Sequence, residues 1–409
     1  IYKNLMSILL ISGLAICSLS SSAVNSDPSD NTLVIDGELD SVLIAVQELM
    51  EIDSSYELIQ QESAMLSLLI RDYNDFYSLT KNLFLLDYKL ERKGDKVSQS
   101  IVRYWLGYYM KSQKLMDNAL ELWSGIENTI PDFLTAELYL NKGEVLSAIG
   151  DYDNAILHLE VVKNLDNVND SINWAAKTME ANVYRAQQLY LKEINEWLNC
   201  LNWLEDKNQL WWNVIAFKRL ADAYRNIEDY DSSIIYLNKA NDFHRAYDPD
   251  SPDLYQYYVD IALIFELQGN TSKALGYLKT ASKEMRKANN DLSEAEISFR
   301  IAYIYFSINK YDQAMEYNDK ALRISENKDF DELLLRVYYL AYKIDQKLNK
   351  FEQALKEYAN YSELRLRFNN EEKENIRDTY LKQYQIERAE KQYKLIIASE
   401  ELKDFELEQ

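Results

Sequence analysis

A short phrase recurs along this chain at a nearly constant spacing. Each copy is a turn followed by the start of a helix, and six of the seven copies carry a small residue at the same place. These marker positions are Ala119, Ala155, Ile194, Ser233, Ala274, Ala314 and Ala354. Successive markers stand about 40 residues apart, which is the size of a two-helix repeat. This period predicts stacked two-helix units rather than one globular core, because units of this size bury their apolar faces against one another.

Composition indicates that the units are helical. The 409 residues are 47% hydrophobic and include only 9 Gly and 4 Pro. No Gly follows Gly276, which favours helix over the rest of the chain, because Gly weakens helix interiors. The sequence therefore predicts an all-α fold and disfavours parallel sheets and Gly-rich phosphate loops.

Small residues also recur twelve positions before the marker and seven positions after it. A large side chain at any of these places would push the two helices of a hairpin apart, at a cost of roughly 1–3 kcal/mol. The unit around Ile194 is interpreted as having lost them. The predicted seam positions are Gly107, Ala119, Gly143, Ala155, Ala221, Ala240, Ala262, Ala274, Ala281, Ala302, Ala314, Ala321 and Ala354.

The pattern resembles the tetratricopeptide repeat family. The match is most specific in four units, of which one carries Gly143, Tyr152 and Ala155 at family positions. The resemblance implies a right-handed α-solenoid of about eight helical hairpins over residues 38–370, with a concave groove lined by the first helix of each hairpin. The period departs from the family, since about 40 residues replace the usual ~34.

The same resemblance implies a set of residues that line the groove and contact a ligand. Aromatic rings suit peptide recognition, because they combine a large apolar area with a polar tip. The chain has 32 Tyr, and in the other interpretation these rings are buried between neighbouring units. The predicted groove residues are Tyr104, Tyr108, Lys218, Asp222, Arg225, Phe299, Tyr303, Phe306, Tyr338 and Tyr342.

The N-terminal residues read as an export signal. Lys3 precedes an apolar run that is too short to cross a bilayer comfortably, and cleavage is expected after Ala23. Two alternatives are a retained membrane anchor and lipidation of Cys17. The following segment, 24–37, is polar and predicts a flexible lead-in.

The C-terminal segment, 371–409, lacks the repeat marker and predicts one long charged helix. A stripe of apolar residues at 3–4 spacing suggests a coiled-coil seam, although it is short. Two outcomes fit this pattern: a weak homodimer through 371–409, or a cap that leads to a membrane segment beyond Gln409. The stripe consists of Ile386, Ala389, Tyr393 and Ile396.

The sequence offers few candidates for catalysis, and it predicts neither a metal nor a cofactor site. Its only histidines, His158 and His244, lack a second ligand at metal spacing. Cys200 lies in an apolar helical context, which indicates a buried, inert thiol.

Acid pairs such as Asp151/Asp153 and Asp229/Asp231 recur at the start of second helices. Negative charge is stabilised there by the helix dipole, so capping explains these pairs better than catalysis does.

The sequence therefore predicts a non-enzymatic scaffold of the bacterial cell envelope that binds a protein or peptide. A net charge of −22 disfavours nucleic acid as a partner. Export signal, array and charged terminal helix together resemble the outer sensor part of certain bacterial membrane signalling proteins. The alternatives are an intracellular peptide-sensing regulator, a structural assembly factor, and a carboxylate-based enzyme acting on sugars.

Overall fold

In this computed structural model the described residues are 75–285, 290–328 and 330–408, with isolated positions between 59 and 70 and without the side chains of 371, 372 and 400–408. The chain divides into two compact units, Ile1–Asp72 and Tyr73–Gln409, and the helices below belong to the second. The predicted signal 1–23 and lead-in 24–37 lie outside the described residues, so export stays a prediction.

Helices account for the regular structure of the described residues, which contain no strand. They are α1 (Phe76–Lys93), α2 (Lys96–Ser112), α3 (Met116–Trp123), α4 (Asp132–Ile149), α5 (Tyr152–Asn164), α6 (Asp170–Ala186), α7 (Tyr190–Leu204), α8 (Leu210–Asn226), α9 (Tyr230–Tyr247), α10 (Tyr255–Leu267), α11 (Thr271–Met285), α12 (Asp291–Ser307), α13 (Tyr311–Asn327), α14 (Asp331–Lys347) and α15 (Phe351–Glu408). In this part of the chain, α2 to α15 pair as seven successive hairpins that follow α1. The predicted all-α solenoid of helical hairpins is confirmed.

Each hairpin reverses the chain through one residue in the left-handed backbone conformation. The amide after that residue then bonds back into the first helix, as Asp151 N does to Leu146 O at 2.9 Å. This arrangement satisfies carbonyls that a helix end would otherwise leave unpaired. The left-handed residues are Lys114, Gly150, Gln188, Glu228, Gly269, Asn309 and Asn349.

Small residues bring the two helices of each hairpin together, as the sequence predicts. The predicted seam alanines are all buried, and none is more than 3% exposed. A Cβ added at Gly107 would lie 2.3 Å from Trp123 Nε1, and one at Gly143 would meet its nearest neighbour at 2.8 Å. Ser233 is buried at the same seam, where its Oγ donates to Ala221 O at 2.7 Å.

In the third hairpin the predicted register is wrong by one residue. The marker is the fourth residue of every second helix, and α7 begins at Tyr190, so the marker is Glu193 rather than Ile194. Glu193 is fully buried. Ala181 lies twelve residues before it and Cys200 seven after it, and both are fully buried. This hairpin has therefore kept its other small residues and has exchanged only the marker for a glutamate.

Stacked aromatic rings join the two helices in three consecutive hairpins, α8–α9, α10–α11 and α12–α13. In each pair the second ring follows the first by twelve positions in sequence and stacks on it, an arrangement that aromatic side chains favour. Much of the aromatic content therefore serves packing within the hairpins. The pairs are Tyr224–Tyr236, Phe265–Tyr277 and Tyr305–Tyr317, with centroid separations of 5.3, 5.3 and 5.7 Å.

The last hairpin and the predicted terminal helix are continuous. Helix α15 has 58 residues and runs through the predicted boundary between 370 and 371. Near its start Ala354 and Leu364 are buried. Residues 373–381 are then exposed without interruption. The middle of α15 is therefore in solvent on all sides, among the side chains that the structure describes.

Further along, α15 packs against α1. The Tyr393 ring stacks on Phe84 with centroids 5.4 Å apart, and Arg388 Cζ lies 5.1 Å from the ring centroid of Tyr77. Ile386 and Ala389 are buried on the same side of α15. The apolar stripe predicted as a coiled-coil seam thus faces a helix of its own chain, and a homodimer through that stripe would compete with this contact.

Candidate functional site

Polar and aromatic contacts between hairpins link the first helices α2 and α4, α8 and α10, and α12 and α14. We call the surface that these six helices form the first-helix face. Its contacts join a first helix to a neighbouring one, as in the pairs Tyr104–Glu137 and Lys218–Asp260. The partners are about one repeat apart in sequence, so the period of the chain places them side by side.

On α2 and α4 the face is closed by a hydrogen-bonded network. Tyr104 Oη donates to Glu137 Oε2 at 3.0 Å and accepts from Asn141 Nδ2 at 3.2 Å. Lys111 Nζ donates to Asn141 Oδ1 at 2.7 Å and pairs with Glu144. Burial and the neighbouring Glu137 raise the pKa of the Tyr104 hydroxyl far above its ordinary value. Tyr104 is 1% exposed, so a ligand contacts it only after rearrangement.

Beside this network lies an accessible aromatic pair. The Tyr108 ring meets Trp105 edge-on with centroids 5.6 Å apart, and it is 39% exposed. Lys111 Nζ lies 5.7 Å from the Tyr108 centroid. At this end of the face Tyr108, rather than Tyr104, is positioned to meet a ligand.

On α8 and α10 the predicted charged residues come together. Arg225 Nη2 lies 2.9 Å from Asp222 Oδ1, and Lys218 Nζ lies 3.8 Å from Asp260 Oδ2. Burial raises the pKa of the Asp260 carboxyl; Lys218 opposes that shift and Asp222 adds to it. Lys218 and Arg225 therefore already have carboxylate partners.

On α12 and α14 one arginine lies over an aromatic ring. Arg336 Cζ is 4.5 Å from the ring centroid of Phe299, which is 9% exposed. The pKa of the Arg336 guanidinium is lowered by burial and by the positive charge of Arg300, while Glu296 opposes the shift.

Of the remaining predicted groove residues, one has an accessible ring and three have side chains that contact other residues of the array. Tyr303 is 50% exposed. By contrast, Phe306 packs on Tyr311 with centroids 5.7 Å apart, and Tyr342 packs on Tyr358 at 5.1 Å. Tyr338 Oη donates to Glu326 at 2.7 Å. Packing between and within units therefore accounts for several of these rings, and their role as ligand contacts stays a prediction.

Sequence reasoning missed Asp260, Arg300 and Arg336, which are central to this face. A signal for two of them was present: Asp260 lies two residues before the small Ala262, and Arg300 lies two residues before Ala302. Aligning the units on their small residues would have placed both beside the predicted Lys218.

The groups considered for catalysis have structural roles. Asp151 and Asp229 cap α5 and α9, accepting from Asn154 N and Ser232 N, which confirms capping. Cys200 is buried, and burial raises the pKa of its thiol to about 12.

Both histidines lie against aromatic side chains. His244 is buried with Nδ1 2.9 Å from Tyr257 Oη, and the His158 ring lies 5.4 Å from that of Tyr139. Across the described residues, acidic, His and Cys side chains form no cluster that would hold a metal ion. Among the same residues no helix is both long and apolar enough to span a bilayer.

Known proteins share this fold and its repeats. The molecule is an α-solenoid of helical hairpins. The model of the tetratricopeptide repeat family matches residues 136–169, 219–243 and 295–328. Those segments fall in hairpins α4–α5, α8–α9 and α12–α13, and they confirm the resemblance to tetratricopeptide repeats.

Known relatives are distant and match parts of the chain. A TPR repeat-containing protein of Methanocaldococcus jannaschii is 27% identical over 180 residues, which are 44% of this chain and 28% of that protein. A type II methyltransferase of Rhodococcus hoagii is 24% identical over 189 residues, or 46% of this chain and 35% of that protein. The chain thus spans about a third of the length of these curated relatives.

Among solved structures, a signal transduction ATPase with a tetratricopeptide repeat sensor from Pyrococcus horikoshii has a similar fold. The TM-score is 0.52 at 14% identity, and the match covers 84% of this chain and 55% of that one. At this identity the likeness concerns the fold.

Proposed function

We propose that this chain is a non-enzymatic scaffold that binds an extended segment of a protein or peptide along the first-helix face. Tetratricopeptide hairpins present their first helices as one continuous surface, and surfaces of this kind suit extended partners.

Accessible aromatic rings on a face of fixed charge pairs are the observation that carries the proposal. Tyr108, Tyr303 and Tyr339 are 39, 50 and 43% exposed. Tyr339 belongs to α14, and its ring also contacts that of Tyr361 on α15, with centroids 5.2 Å apart. Large aromatic side chains supply much of the binding energy at interfaces, because their apolar area is desolvated on binding. The ion pairs Lys218–Asp260 and Arg225–Asp222 lie on α8 and α10, between the helices that carry these rings. Their fixed charges favour one register of a bound segment over others.

The test is a selection of displayed random peptides on the full chain, followed by affinity measurements on synthetic versions. The triple variant Tyr108→Ala, Tyr303→Ala and Tyr339→Ala should weaken binding of the selected peptides by about tenfold or more.

The control removes three tyrosines elsewhere that are more exposed than those of the test variant. Tyr247, Tyr380 and Tyr384 are 55, 73 and 62% exposed, on α9 and in the middle of α15. Their joint change to Ala should leave affinity unchanged. Equal affinity of both triple variants, or a loss only in the control, would contradict the proposed face.

In its finer form the proposal makes the array the exported sensor region of an envelope signalling protein, with occupancy of the first-helix face passed on through α15. The two docked ends of α15 support this form. Hydrogen exchange of α1 and of residues 386–397 should change when a selected peptide binds, and the mature chain should begin near Val24. Unchanged exchange at both places would refute the signalling part.

A further inference from the structure

The hairpin α14–α15 carries two acids at the places where the three preceding hairpins carry a stacked ring pair. In those hairpins the residue of the first ring accepts the turn hydrogen bond, as Tyr305 O does from Lys310 N at 2.9 Å, and the second ring belongs to the seventh residue of the second helix. The turn of the last hairpin makes the same bond, from Lys350 N to Asp345 O at 2.9 Å. The seventh residue of α15 is Glu357. Asp345 and Glu357 therefore occupy the places of the two stacked rings.

The two carboxylates face each other across the seam between α14 and α15. Ring centroids at these two places lie 5.3 to 5.7 Å apart in the preceding hairpins. The last hairpin is packed as closely, because the rings of Tyr342 and Tyr358, which flank the two acids in sequence, have centroids 5.1 Å apart. Its seam residue Ala354 is 3% exposed. Two like charges thus replace a favourable ring contact.

Neither carboxylate is neutralised within the described part of the chain. Asp345 is 5% exposed, and Glu357 Oε2 is buried without a hydrogen-bond partner among the described residues. Neither acid makes an ion pair with a described residue. Buried carboxylates are normally paired, because their loss of hydration is otherwise uncompensated. The described residues offer no cluster for a metal ion, whereas a proton held in common needs only two facing oxygens.

The charged neighbours of the pair come from α13, from α15 and from the turn. Burial raises the pKa of the Asp345 carboxyl; Lys350 opposes that shift and Asp319 adds to it. Burial also raises the pKa of the Glu357 carboxyl, and Lys356 opposes the shift. The acids that add to the shift of Glu357 are Asp345, Glu326 and Asp319. Negative charge around the pair therefore favours retention of a proton.

We propose that Asp345 and Glu357 share one proton when the hairpin is closed, and that release of this proton as the pH rises loosens α15 from α14. In the protonated state the O–H of one carboxyl group donates to the carboxylate of the other, a strong hydrogen bond. When the proton leaves to solvent, two negative charges face each other across the seam. Because α15 also contacts α1 through Tyr393 and Phe84, the pH then acts on the link between the two ends of the array.

The sign of the effect follows from the direction of the two pKa shifts. A carboxyl group whose pKa is raised by folding stabilises the hairpin fully below its unfolded-state pKa, and this contribution is lost as the pH rises through the raised value. Opening of the hairpin then releases about one proton. The opening equilibrium should therefore increase about tenfold for each pH unit in that range.

The test is hydrogen exchange of α14 and of residues 351–364, compared at equal pH between the unaltered chain and the variant Glu357→Gln. The glutamine amide donates to the Asp345 carboxylate as the shared proton does, but it does not titrate. In acid the two proteins should be protected alike. As the pH rises, the unaltered chain should lose protection relative to the variant, by about tenfold for each pH unit, until the pair is ionised.

Glu363→Gln is the matched control, because Glu363 is exposed on the same helix. Both single variants change the net charge from −22 to −21 (−22 plus 1), so a general electrostatic effect would appear equally in both. The control should follow the unaltered chain at every pH. A second variant, Asp345→Tyr with Glu357→Tyr, introduces the ring pair of α12–α13, and its protection should not fall relative to Glu357→Gln.

Parallel protection of the unaltered chain and the Glu357→Gln variant at all pH values would overturn the inference. So would the loss of the pH effect in Glu363→Gln as well, because the charge of α15 as a whole would then be responsible. Circular dichroism in acid establishes that the variants fold. If Glu357→Gln does not fold, the double tyrosine variant replaces it in the comparison, with the same two outcomes. No peptide takes part in this test, so its result is separate from the proposed function.

Discussion

At the scale of single residues, the spacing between paired helices is set by side chains that are absent or very small. Gly107 lies directly against the Trp123 ring, whose Nε1 donates to Tyr104 O at 3.0 Å. That hydrogen bond fixes the ring, so it cannot move away to make room for a larger residue at position 107. The absence of a side chain at position 107 therefore allows α2 and α3 to pack in direct contact.

Gly107→Ala is expected to lower the free energy of unfolding by about 1–3 kcal/mol, because the added Cβ overlaps the fixed indole. Gly276→Ala is the matched change, since a Cβ there meets no described atom within 4 Å. It should raise the free energy of unfolding by up to ~1 kcal/mol, owing to the better helix propensity of Ala. Urea unfolding of both variants checks this, and equal effects of the two changes would contradict the seam argument.

Glu193 shows how a seam position tolerates a charge. Its Oε1 accepts from Arg185 Nε at 2.7 Å, while Oε2 has no hydrogen-bond partner among the described residues. Burial raises the pKa of this carboxyl, and Arg185 opposes the shift. Breaking a buried ion pair leaves an uncompensated charge, so the loss of either Glu193 or Arg185 alone would destabilise the third hairpin.

At the scale of elements, hairpin turns and seams could be predicted from sequence more reliably than the position of each first-helix side chain. The period and the small residues predicted the hairpins, because these features act within one unit. The third marker was missed because Ile194 is apolar and Glu193 is charged, so hydropathy favoured the wrong neighbour. Arg300 and Arg336 were missed because their placement depends on contacts between units.

The same reason explains the terminal helix. Its apolar stripe around Ile386 was correctly recognised as a packing surface, but its partner was not. Which helix covers the stripe depends on where the array brings α1, which lies at the other end of the described helices. Local patterning carries no information on so remote a contact, so an intermolecular partner looked equally suitable.

The contact between Phe84 and Tyr393 should appear as a coupling energy between α1 and α15. In a double-mutant cycle of Phe84→Ala and Tyr393→Ala, the two losses of stability should differ from additivity by about 0.5–1.5 kcal/mol, the range for aromatic pairs. The cycle of Phe84→Ala with Tyr380→Ala is the control, because Tyr380 is 73% exposed on the same helix. Additive losses in the Phe84–Tyr393 cycle would show that α15 does not dock on α1 in solution.

At the scale of the whole array, α15 relates two ends that the sequence separates widely. It begins as part of the seventh hairpin of the described chain and reaches α1, which precedes the first. Stacked repeats otherwise touch only their neighbours, so a disturbance in one hairpin fades along the row. Because α15 links the two ends directly, a displacement of α14 is coupled to α1, although the two helices are far apart in the row.

A row of hairpins stretches and relaxes like a spring, through small changes at every joint. Helix α15 cannot, because its backbone hydrogen bonds fix its length, and from Phe351 to Tyr393 it measures about 63 Å at roughly 1.5 Å per residue. Because α15 is rigid and contacts both ends of the row of hairpins, it fixes the distance between those ends. A partner that lengthens or shortens the row therefore separates Tyr393 from Phe84. Small changes spread over many hairpins would then be detected as the loss of this one contact between α15 and α1.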